Sequence, residues 1–106
     1  MKYKKKFFSK NFLKKTFIIA EIGINHNGSF DKCKKMIKLA AKCGAGAVKI
    51  QTINVEDSYH KSSKSYNVFK NKDFSLLQIK KLKKFSEING VIFFSTPGDI
   101  SSLKKI

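Results

Sequence analysis

"FIIAEIGINHNGS", residues Phe17 to Ser29, sets an isoleucine-rich apolar run directly before a crowd of polar residues, Asn25-His26-Asn27-Gly28. The run is mostly continuous rather than alternating. It therefore reads as a strand over Thr16 to Ile24, buried on both faces in the manner of a parallel sheet. One residue breaks the pattern. Glu21 lies inside the run, and an unpaired buried carboxylate costs on the order of several kcal/mol. Either Glu21 pairs with a cation on a neighbouring strand, or it faces a polar cavity.

Outward from this stretch, Ser29 is suited to cap a helix over Phe30 to Cys43, with Asp31 in its first turn facing the helix dipole. Cys33, Met36, Ile37, Ala40 and Ala41 fall on one face, and Lys34, Lys35, Lys38 and Lys42 on the other. Gly44 stops the helix, because glycine readily takes the left-handed conformation needed there. "AVKIQT", Ala47 to Thr52, is a second strand. The polar stretch from Ile53 to Phe74 reads as a long loop, a length that often signals function. Ser75 and Gln78 form a capping-box pair ahead of a second helix reaching about Ile88. Its apolar positions spread round the cylinder, so its buried face is left open. "VIFFS", Val91 to Ser95, is a third buried strand, followed by Thr96-Pro97-Gly98-Asp99 and a helix starting at Ser101.

Strands alternating with helices imply right-handed crossovers and a parallel sheet, the α/β class. Three such strands leave edges and faces uncovered, so the pattern reads as the beginning of a larger sheet. Residues 1–15 read as a mobile basic leader. They lack the continuous apolar core of a signal peptide, and no stretch of the chain reaches the length of a membrane span. Cys33 and Cys43 have no metal-ligand partners at useful spacing and read as small buried apolar residues in a reducing compartment. The expected compartment is the cytoplasm.

The charge balance is lopsided, with 23 basic residues against 7 acidic ones and a formal net charge of +16 in a chain of 106 residues. Every basic residue is a lysine. Arginine is the preferred side chain for bidentate contacts to phosphate and guanine, so a sequence-specific DNA reader without it would be unusual. A lysine-rich module binding nucleic acid or an anionic surface is nevertheless the competing reading, set against lysines that merely solvate helix faces.

In a parallel α/β sheet, ligands bind beyond the C-terminal ends of the strands. The first strand brings Glu21, Asn25, His26 and Asn27 there. The second brings Lys49, Gln51 and Thr52, and the third Ser95, Thr96 and Asp99. Lys49 and Gln51, two apart, point the same way. His26 is also compatible with a loop histidine bonded to backbone, and Glu21 with a simple ion pair to Lys49.

"IAEIGINHNGS", then "AGAVKIQT" with "ED" four residues later, then "FFSTPGD" together resemble the N-terminal region of the sialic acid synthases. That family comprises N-acetylneuraminate synthase and its pseudaminic and legionaminic acid relatives, and the resemblance spans roughly residues 16–100. It implies that residues 16–106 form the N-terminal third, about β-α-β-α-β, of a (β/α)8 TIM barrel. It also implies condensation of phosphoenolpyruvate with an N-acetylated sugar such as N-acetylmannosamine, assisted by a divalent metal, Mn2+ or Mg2+. The metal-binding histidines of the family lie on later strands, so no metal ligand is assigned here. By the same resemblance Glu21 is the catalytic carboxylate near the reacting carbon, Lys49 contacts phosphoenolpyruvate and Gln51 reaches the sugar. Asn25, His26 and Thr96 line the substrate pocket. The full-length family is expected to be homodimeric, and this chain alone to be inactive. Gly98 stands where the family usually carries an aromatic residue.

Overall fold

The computed structural model describes residues 16–106; the expected basic leader, residues 1–15, lies outside the described residues. Three parallel strands, β1 (Ile19–Gly23), β2 (Ala47–Thr52) and β3 (Ile92–Pro97), form one sheet in the order β1-β2-β3. Helix α1 (Phe30–Lys42) crosses from β1 to β2, and α4 (Leu76–Ile88) crosses from β2 to β3. Helix α5 (Ile100–Lys105) follows β3. This is the order of the first part of a (β/α)8 TIM barrel.

The capping signals act as their chemistry requires. The Ser29 hydroxyl accepts the Lys32 amide at 3.2 Å. At the start of α4, Ser75 accepts from the Gln78 amide at 3.2 Å, and the Gln78 side chain accepts from the Ser75 amide at 2.9 Å. Each such cap satisfies amides that the helix itself leaves unpaired, worth about 1 kcal/mol.

Among the described residues the core cluster lies on one face of the sheet. Ile22, Val48 and Ile50 pack there with Cys33 and Ile37 of α1, Ile79 and Leu82 of α4, and Phe74 and Val91. Full burial of an aliphatic side chain of this size contributes roughly 1.5–3 kcal/mol. This settles the face of α4: Ile79, Leu82 and Ser86 are buried, whereas Leu77 and Ile88 are exposed.

Apart from the buried Ala47, the opposite face stands largely open among the described residues, and here the expectation of strands buried on both sides fails. Ile19 is 48% and Phe94 37% exposed. A barrel interior is filled by side chains from all its strands, and three strands supply only part of that filling. Cys43 is a second correction: it caps the C-terminus of α1 and is exposed, while Cys33 is fully buried. The stretch from Ile53 to Phe74 is a third, since it holds two short helices, α2 (Val55–Ser58) and α3 (Lys64–Phe69). The Tyr66 hydroxyl joins them by donating to Glu56 at 2.5 Å. No helix among the described residues is long and apolar enough to cross a membrane.

Candidate functional site

Register decides which side chains meet. Glu21 pairs with Lys49, Lys49 with Phe94, and Gln51 with Thr96. Register partners in a parallel sheet share a face, so Glu21, Lys49, Gln51 and Thr96 stand together on the open one. Lys49 Nζ lies 2.5 Å from Glu21 Oε2, with the lysine side chain 24% and the glutamate 51% exposed. Glu21 is thus neither buried nor alone. The register slips between Glu21 and Gly23, and a β-carbon placed on Gly23 would lie 3.7 Å from both Gln51 Oε1 and Glu21 Oε1. A cation, a carboxylate and an amide therefore converge near the C-terminal end of β2. Such a group can hold an anion on the lysine, offer both a donor and an acceptor from Gln51, and move a proton at Glu21.

The other strand-end polar residues go elsewhere. Thr52 and Ser95 share a hydrogen bond of 2.6 Å, and the Ser95 hydroxyl also donates to the Ile50 carbonyl. Asp99 caps α5, accepting the Ser102 amide at 2.7 Å and the Asn54 amide at 2.7 Å. The Ser58 and Ser102 hydroxyls donate to the same carboxylate. Burial alone would raise its pKa, but these donors outweigh it and hold Asp99 below the ordinary value. Its oxygens tie β2's exit to α5 rather than waiting for a ligand.

Asn25 is exposed, and its side-chain amide donates to the Ile22 carbonyl at 3.0 Å. His26 departs furthest from its expected role. It has no exposed surface, its Nδ1 accepts the Gly28 amide at 3.0 Å, and its ring stacks on Phe74 with centroids 4.4 Å apart. A side chain so placed lines no open pocket. Burial pushes its pKa down, opposed by the Gly23 carbonyl and Asp73 and assisted by Lys32 and Lys72. Because Nδ1 accepts, the neutral ring carries its proton on Nε2.

Other residues near Gln51 come from the stretch that reads as a loop. Ile53, Phe69, Lys72 and Asp73, with Ile24 from the turn after β1, close round Gln51 in a narrow crevice that leaves no room for a water molecule. It runs beside a larger one of about 610 Å³, which Ile53, Phe69 and Asp73 also line. The only sequence signal for them is the length of that stretch. No group of three His, Cys, Asp or Glu side chains among the described residues is placed to hold a metal ion.

Residues 36–106 match the NeuB family. The chain is 46% identical over 85 residues to an uncharacterized protein of Methanocaldococcus jannaschii, covering 80% of this chain and 25% of that protein. It is 38% identical over 95 residues to human N-acetylneuraminate-9-phosphate synthase, covering 77% of this chain and 26% of the human protein. The crystal structure of an N-acetylneuraminic acid synthetase from Leptospira borgpetersenii superposes with a TM-score of 0.78 at 35% identity. That superposition covers 84% of this chain and 31% of the Leptospira chain. The chain thus spans about a quarter to a third of the length of these relatives.

Proposed function

The chain belongs to the NeuB family, and from that premise we propose that it is the N-terminal portion of a cytoplasmic synthase condensing phosphoenolpyruvate with an N-acetylated sugar. One observation carries the reading: Glu21, Lys49 and Gln51 stand together on the open face of a parallel sheet, near its C-terminal edge. Lys49 holds the phosphoenolpyruvate anion by a charge-assisted contact. Gln51 orients the acceptor sugar, with Asn25 and Thr96 lining the pocket. The enol carbon attacks the sugar aldehyde, water adds to the resulting cation, and phosphate leaves. Glu21, half-exposed beside Lys49, is suited to take the attacking water's proton or to steady that cation.

The divalent cation implied by the family resemblance finds no three-ligand group among the described residues, and no step is assigned to it. The basic-module reading gains nothing from the structure, where Lys35, Lys38 and Lys42 occupy the exposed face of α1. The test is phosphate release from phosphoenolpyruvate and N-acetylmannosamine with Mn2+, by a family-length protein carrying this sequence. Stoichiometric release that depends on the sugar is the expected result. Absence of release with N-acetylmannosamine and with other N-acetylated aldoses would reject the reading.

A further inference from the structure

His26 is expensive where it sits. It is fully buried, and its Nε2 closes no hydrogen bond of good geometry, the Gly23 carbonyl acting on the ring only weakly. For burial alone an apolar ring would serve better. What the histidine adds is an acceptor for the Gly28 amide, combined in one side chain with a ring for Phe74. It thereby joins the turn after β1 to the segment just before α4. Gly28 brings the same two pieces together from the other side: a β-carbon there would meet the Asn71 carbonyl oxygen at 2.5 Å.

These two pieces close on Gln51 from either side, in a crevice too narrow for water. Ile24 comes from the turn, Lys72 and Asp73 come from the segment before α4, and Gln51 lies between them. Gly23, where the turn begins, is in reach of the Gln51 and Glu21 side chains. We propose that His26 is a positioning residue for the candidate site: by bonding Gly28 and stacking on Phe74 it sets how closely the two pieces hold Gln51, and so how Gln51 is presented to the group it orients. This rests on the reading above, in which that group belongs to the acceptor sugar.

Two substitutions separate the contacts. His26→Phe keeps a ring for Phe74 and removes the acceptor; His26→Asn keeps the acceptor and removes the ring. In a family-length protein, His26→Phe is expected to raise the KM for the sugar roughly tenfold and to leave that for phosphoenolpyruvate within about twofold. His26→Asn recovers part of the loss. Equal rises in both KM values, or a fall in kcat with neither KM changed, would overturn the proposal. Amide hydrogen exchange of the 106-residue chain supplies a readout independent of activity. Exchange roughly tenfold faster at both Ile24 and Phe69–Asp73 in either variant supports positioning. Faster exchange confined to Gly28 overturns it. If the unaltered protein shows no turnover, the functional reading fails and exchange alone decides this one. Should His26→Phe not fold, His26→Asn is read by the same criteria.

Discussion

Glu21 and Lys49 are register partners across the first two strands, and their side chains close an ion pair of 2.5 Å on the open face of the sheet. The glutamate is 51% exposed. Pairs so accessible contribute about 1 kcal/mol or less to stability, because water screens them and both side chains lose freedom. This geometry separates two roles for the carboxylate. Glu21→Gln keeps the shape and removes the charge, so thermal unfolding is expected to shift little, by about 1 kcal/mol at most. In a family-length protein turnover should fall far more than substrate binding. A variant that melts early yet turns over normally would make Glu21 a structural partner only.

Lys49→Ala tests the other half of the pair. Removing a charge-assisted contact to an anion costs roughly 1.5–3 kcal/mol, which is on the order of ten- to a hundredfold in affinity for phosphoenolpyruvate. Calorimetric titration of a family-length variant measures it directly. An unchanged dissociation constant would remove Lys49 from the anion site.

Much of this arrangement was legible in the sequence, for physical reasons. Caps are local chemistry, so Ser29 and the Ser75–Gln78 pair marked their helices correctly. Alternation of strands and helices sufficed for the parallel order. The two helices inside residues 53–74 are four and six residues long, too short for a periodic pattern to declare itself. The exposure of Ile19 depends on what covers the sheet, which an apolar run cannot report. Asp99 reads as a strand-end ligand group but is consumed as a cap, and the buried place of His26 depends on Phe74, distant in sequence.

Gly28 gives a stability prediction with an internal control. Its φ is +76°, and an added β-carbon would meet the Asn71 carbonyl oxygen at 2.5 Å. Gly90 has the same φ but nothing within 4 Å of such a carbon. Gly90→Ala should therefore cost only the left-handed penalty, roughly 1–2 kcal/mol. Gly28→Ala adds a backbone clash and should cost about 3 kcal/mol or more. Urea unfolding of both variants checks the difference, and equal costs would show that the turn does not press on Asn71.

The His26 ring predicts how stability follows pH. Its pKa is lowered below 6.5 in the fold, chiefly by burial. As pH falls, the unfolded chain therefore takes up the proton first. The contribution is complete above the ordinary pKa and is lost as pH drops through about 6.5 toward the folded value. Urea midpoints at about pH 7.5 and about pH 5.5 should differ, with the acid value lower. His26→Phe should flatten that slope. A slope unaltered in His26→Phe would assign the acid sensitivity to another group.

By itself, the 106-residue chain should not catalyse. Lys49, Gln51 and Glu21 stand on a sheet face that three strands leave open, with Ile19 48% exposed. On the outer side, Ile100 and Leu103 of α5 are 71% and 62% exposed. Apolar surface of this kind favours self-association over an isolated monomer. Catalytic groups also need supports that fix them to within about 0.5 Å, and one half-exposed ion pair does not provide that. Size-exclusion chromatography should show an apparent mass that rises with concentration. Assays with phosphoenolpyruvate, N-acetylmannosamine and Mn2+ should release no phosphate above background. Release that is abolished by Glu21→Gln would overturn this prediction, and would mean that association between copies completes the site.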